Sequence, residues 1–108
     1  MLFVNLMTLK PNLSRLQIDE AAQRRAKWKY PAGLKLVAEY WLQGSTNVLA
    51  IIDAEHAGNL LQLSYAWNDV FDIATHPVVT AEEGLRFLQQ ARVVRRRGRR
   101  PKALLAQG

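Results

Sequence analysis

The apolar positions along this chain fall into short runs that switch between a period of two and a period near 3.6. Residues 47–53 (NVLAIID) are rich in branched side chains and stop at Asp53, an acidic residue able to cap a helix. Residues 54–66 then carry helical spacing, with Ala57, Leu60, Leu61 and Ser64 on one face and His56, Asn59 and Gln62 toward solvent. A strand therefore hands directly to a helix. The same plan occurs earlier. Over residues 2–9, Leu2, Val4 and Leu6 alternate with Phe3, Asn5 and Met7, and apolar character on both sides suits a strand covered twice. After Pro11-Asn12, Ser14 and Gln17 stand at capping-box spacing and open a helix over residues 14–29. Ile18, Ala21, Ala22 and Ala26 give it a narrow apolar stripe, with Asp19 and Glu20 early and Arg24, Arg25, Lys27 and Lys29 late, as the helix dipole favours.

The remaining elements follow from breakers and alternation. Tyr30-Pro31-Ala32-Gly33 stops the helix, and residues 34–42 alternate Leu34, Leu36, Ala38, Tyr40 and Leu42 against Lys35, Val37, Glu39 and Trp41. Residues 43–46 are a polar connection of hairpin length, which makes the second and third strands antiparallel neighbours. A fourth strand over residues 71–80 sets Phe71, Ile73, Thr75, Pro77 and Val79 against Asp72, Ala74, His76 and Val78, and its proline places it at an edge or bulge. A short helix is expected over residues 81–94. The order strand, helix, strand, strand, helix, strand is the ferredoxin-like βαββαβ plan of the α+β class: four antiparallel strands with two helices on one face. The domain organisation read from this is a barrel-type domain over residues 1–84, followed by a C-terminal helix and basic tail over residues 85–108.

The second sheet face then needs a cover. Val48, Ala50 and Ile52 are assigned beneath the helices, and Leu49 and Ile51 away from them. Phe3, Met7, Val37, Trp41 and Val78 are placed on the open face, making it too apolar for water, and a second copy of the sheet covers it within closed symmetry. A homodimer is the expected assembly.

The segments GLKLV at 33–37, EYW at 39–41, NVLAIID at 47–53, WND at 67–69 and PVV at 77–79 with Glu82 and Glu83, in this topology, resemble the dimeric α/β barrel superfamily. Within it, the chain is similar to a small bacterial domain family that carries no assigned function. The resemblance covers residues 1–84. It implies a dimer and a site between the open sheet face and the helices, or inside the intersheet cavity. Relatives by fold include muconolactone isomerase-like enzymes, cofactor-free monooxygenase-like proteins, chlorite dismutase-like haem proteins and stress-responsive barrels, and a shared fold does not carry their activities over.

Composition changes the picture in two places. The chain has 108 residues and no cysteine, which fits one domain and removes disulfides, thiolate catalysis and thiolate-bound metal. This suits a cytoplasmic protein, and neither a secretory signal nor a run of roughly 20 apolar residues is present, so no membrane partner is expected. The net charge of +6 is concentrated at one end. Residues 1–91 carry eight Lys/Arg against nine acids, a net of −1, whereas residues 92–108 carry seven cations and no acid, a net of +7. A basic nucleic-acid-binding body is thereby excluded.

The candidate chemistry sits among polar residues assigned to the open sheet face. His76 is the candidate general base, with Glu39 or Asp72 tuning it; Asn5, Trp41 and Asp72 are the ligand-binding candidates. The plain alternative gives the same side chains polar contacts at a dimer interface. His56 is a surface residue. With only two histidines and no ligand spacing such as HExxH, neither a metal nor a cofactor is expected. The leading function is small-molecule binding in the intersheet or sheet-helix cavity, with cofactor-independent catalysis as its stronger form. The tail supplies a different class. Arg95, Arg96, Arg97, Gly98, Arg99, Arg100 and Lys102 resemble an AT-hook, in which an extended Arg-Gly-Arg backbone follows the minor groove, although Arg100 separates the triplet from Pro101. A solubilising extension and a non-catalytic interaction module are the remaining alternatives.

Overall fold

The computed structural model describes residues 1–44 and 47–98. One compact unit, Met1–Val78, holds β1 (Leu2–Leu9), α1 (Arg15–Lys27), β2 (Leu34–Trp41), β3 (Val48–Ala54), α2 (Gly58–Trp67) and β4 (Phe71–Pro77). The strands make a single antiparallel sheet in the order β2-β3-β1-β4, the ferredoxin-like α+β arrangement. β4 is an edge strand and ends at Pro77, where a missing N–H interrupts no central ladder.

α1 begins as its residues dictate. Ser14 Oγ accepts from the Gln17 N–H at 3.1 Å while Gln17 Oε1 accepts from the Ser14 N–H at 2.8 Å, a complete capping box. Asn12 enters it with φ 67°, the left-handed conformation that asparagine tolerates. Arg24 ties α1 to the end of α2. It donates to both Asp69 oxygens and to the Ala66 carbonyl, and its guanidinium lies 4.5 Å from the Trp67 ring centre.

α2 departs from expectation at its start. β3 runs through Asp53 to Ala54, so Asp53 does not cap the helix; Ala57 occupies the N-cap, and Asn59 Oδ1 accepts from the His56 N–H at 3.1 Å. The buried stripe is Leu60, Leu63 and Trp67, while Leu61 is exposed. Burying the large Trp67 ring rotates the helix from the Leu60, Leu61, Ser64 face expected of its sequence.

Strand register corrects the assignment of faces. β1 sets Phe3 opposite Ile52, Asn5 opposite Ala50 and Met7 opposite Val48, and directly opposed residues project to the same side. Phe3, Asn5 and Met7 therefore share the helix face with Val48, Ala50 and Ile52, not the open face. In β2, a bulge between Leu36 and Ala38 inserts Val37 and resets the alternation. Leu36 pairs with Ile52, and after the bulge Glu39 pairs with Ala50 and Trp41 with Val48, so Glu39 and Trp41 also turn to the helix face. The opposite face carries Leu2, Val4, Leu6, Ala38, Tyr40, Leu49 and Ile51. It remains apolar, through a different set of residues from the one expected.

The core of this unit packs Phe3, Met7, Leu34, Ala50 and Ile52 of the sheet against Ala21 of α1 and Leu60, Leu63 and Trp67 of α2. The second unit begins at Val79 and contains α3 (Ala81–Gly98). Thr80 Oγ1 accepts from the Glu83 N–H at 3.1 Å and starts the helix. α3 runs past the expected end near residue 94, since arginine is a good helix former. Leu85, Phe87, Leu88 and Val94 are exposed on it. No helix among the described residues is long and apolar enough to cross a membrane.

Candidate functional site

The feature that stands out is a cavity of about 290 Å³ between the sheet and α1. Its origin is legible in side-chain volume. α1 presents Ala21 and Ala22 toward the sheet, and these are too short to fill the space above Asn5, Ala50 and Ile52. Leu63 and Trp67 of α2 close the inner end. Trp41 and Leu42 also line the cavity and are 67% and 41% exposed, which marks the mouth.

At that mouth Glu39 is held by four hydrogen bonds. Arg25 Nε donates to Oε2 at 3.1 Å and Nη2 to Oε1 at 3.0 Å; Trp41 Nε1 donates to Oε2 at 2.7 Å, and the Tyr30 hydroxyl to Oε1 at 3.3 Å. A carboxylate offers about four acceptor sites, so Glu39 is saturated. Burial pushes its carboxyl up, but the bonds from Arg25 and Trp41, with Arg25's charge and Tyr30's hydroxyl, outweigh this and hold it below the ordinary value. Arg25 is raised in return, chiefly by its hydrogen bond to Glu39. Tyr30 is pushed up to about 12 by burial and by the adjacent Glu39 charge. A fully bonded, acidic carboxylate is a strut rather than a base.

Asn5 is completely buried in the cavity floor. Its Oδ1 accepts from Thr75 Oγ1 at 2.6 Å, and its Nδ2 has no partner among the described residues. Trp28, which follows α1, stacks edge-on against both Tyr30 and Trp67, with ring centres 5.8 and 5.6 Å apart, and its indole Nε1 is likewise buried without a partner. Leaving a buried donor unmet costs about 1–3 kcal/mol. Two such donors border the same cavity.

The sequence-derived candidates therefore separate. Asn5, Glu39 and Trp41 meet at the cavity. Asp72 and His76 do not: register sets His76 opposite Val4 and Asp72 opposite Thr8, on the other sheet face, where both are exposed. The pairing of His76 with Glu39 or Asn5 in one site is thus corrected, because period-two alternation fixes which residues of one strand share a side but not the phase between strands. Arg25, Trp28, Tyr30 and Thr75 are not among the site candidates that the sequence offers; Trp28 and Tyr30 are expected there only as cover for an edge of the barrel. Arg25 is one of four cations late in α1, and only the contact with Glu39 distinguishes it. Of the tail candidates, Arg95, Arg96, Arg97 and Gly98 belong to helix α3, not to the extended backbone of an AT-hook. Arg99, Arg100 and Lys102 lie outside the described residues.

Comparison with known proteins gives a match to one family model, described as a domain of unknown function (DUF3303), over residues 1–92. That span takes in the whole sheet, both helices packed on it and most of α3. No curated protein matches the chain.

Proposed function

The chain belongs to the DUF3303 family, and from that premise we propose that it binds a small, largely apolar molecule in the cavity between the sheet and α1. The observation that carries this reading is the cavity itself: about 290 Å³ lined by Ile18, Ala21, Ala50, Ile52 and aromatic rings, with few polar groups converging on it. An engineered cavity of about 150 Å³ already takes benzene; this one has room for two fused rings. Of the sequence-derived candidates, Asn5 and Trp41 keep the binding role expected of them, and Glu39, expected as a partner of His76 in catalysis, is assigned to the rim instead. Arg25, Trp28 and Tyr30 join them. The Glu39 network fixes the mouth, and a fixed rim lowers the ordering cost of binding. The locked state of Glu39 and the distance of His76 from the cavity favour binding over acid-base catalysis by that pair.

The reading includes a homodimer formed through the opposite sheet face. Its support is the row of Leu2, Val4, Leu6, Leu49 and Ile51 that register places there.

The test of the cavity is titration of the protein with 6-propionyl-2-(dimethylamino)naphthalene, an uncharged, environment-sensitive fluorescent probe built on two fused rings. Micromolar binding with enhanced emission is expected. Ala21→Leu, which fills the space from α1, should weaken it about tenfold or more while thermal stability is kept or raised. Binding that is absent, or that Ala21→Leu leaves untouched, would remove the proposal.

A further inference from the structure

The ligand's polarity can be taken one step further, on the premise that the cavity is a binding site. Both unpartnered buried donors of the described residues, Asn5 Nδ2 and Trp28 Nε1, belong to residues lining this cavity. Asn5 lies on β1 and Trp28 in the segment after α1, so the two donors belong to different elements that border the cavity. Trp28 decides the sign of the requirement. An indole nitrogen donates only, whereas an asparagine amide can be turned over. Asn5 agrees with it, since its oxygen is engaged by the Thr75 hydroxyl at 2.6 Å and its NH₂ group is left over. What is missing on both sides is an acceptor.

Charge narrows the class. Arg25 and Glu39 are the charged residues lining the cavity, and they pair with each other in bidentate fashion at 3.0 and 3.1 Å. Among the described residues the net charge of the lining is therefore zero, and its one cation, already paired, is not left to offset a carboxylate or phosphate desolvated within the site. We infer that the cavity takes an uncharged ring compound bearing a carbonyl oxygen, which accepts hydrogen bonds from Asn5 Nδ2 and Trp28 Nε1. Both N–H groups are shut off from solvent, in residues that line the cavity. The oxygen reaches them through small side-chain shifts of the kind that accompany binding elsewhere.

The test compares three probes of nearly equal size by ¹⁵N NMR titration of the full chain: tetralin, which has no acceptor; 1-tetralone, which adds one carbonyl; and 1-naphthoate, which adds a charge. The expected order puts 1-tetralone at least about tenfold tighter than tetralin, or about 1.4 kcal/mol, with 1-naphthoate weakest. Tetralone alone should move the Asn5 side-chain NH₂ and Trp28 indole N–H resonances downfield. Trp28→Phe and Asn5→Leu should each reduce the ratio of tetralone to tetralin affinity several-fold. Should either variant fail to fold, the resonance shifts of the unmodified protein decide the matter. Equal affinities for tetralin and tetralone, tightest binding of naphthoate, or unmoved donor resonances would overturn the polarity inference while leaving the binding site standing. If none of the three binds, the binding-site reading falls as well.

Discussion

Glu39 is the residue on which the cavity's rim depends. Its four donors come from α1, from the segment that follows it and from β2 itself, so one carboxylate joins three parts of the chain. Replacing it by glutamine keeps the shape and removes the charge, leaving Arg25 half-buried without its partner. Glu39→Gln should cost about 1–3 kcal/mol, read from urea unfolding at pH 7. The pH dependence follows from the lowered value of the carboxyl in the folded state. A depressed folded value means that the stabilisation is fully present above the ordinary value of 4.5 and is lost as pH falls through the folded value. The gap between Glu39→Gln and the unmodified protein should therefore be constant from pH 7 to about 5 and close below about pH 4.5. A gap that persists undiminished in strong acid would show that Glu39's charge has no part in it.

At the scale of elements, the turn before β2 is the least tolerant joint. Gly33 sits at φ +89°, and a Cβ there would lie 2.9 Å from Asn59 Oδ1. That oxygen accepts from the His56 N–H and thereby substitutes for the missing side-chain cap of α2. Gly33→Ala combines left-handed strain with displacement of this bond and should lower stability by about 1–3 kcal/mol, which for a domain of this size is a fall in Tm of at least about 4 °C. An unchanged Tm would contradict the assignment. The elements themselves were legible because each is written locally: Ser14 and Gln17 announce α1, Gly33 and Pro31 end the turn, and Pro77 marks an edge. The faces were not. Nothing in the LKLVAEYW segment of β2 signals that Val37 is an inserted residue, yet that single bulge decides that Glu39 and Trp41 look toward Arg25. Nor does the alternation within β1 say how it is phased against β3, so Phe3, Asn5 and Met7 were put on the wrong side. His76 failed for the same reason, as the phase of β4 depends on its pairing with β1.

At the scale of the whole molecule, the open sheet face and the proposed dimer belong together. Light scattering after size exclusion should give twice the 12.3 kDa protomer mass at tens of micromolar protein. Ile51→Lys should reduce it to one protomer while keeping the far-ultraviolet signature of the fold. A single-protomer mass for the unmodified chain would refute the assembly and leave the cavity untouched, because the cavity is built on the other side of the sheet. Among the described residues that line the cavity, Arg25 and Glu39 are the charged ones, and the neutrality of the lining rests on their pairing. The short side chains of α1 have a consequence for how such a site changes over generations. Ala21 and Ala22 set the ceiling above the cavity floor without taking part in the hydrogen-bonded rim or the sheet register. An alanine codon becomes a valine codon by one base change. The room in the cavity can thus be reset by a single nucleotide, with the frame around it inherited intact.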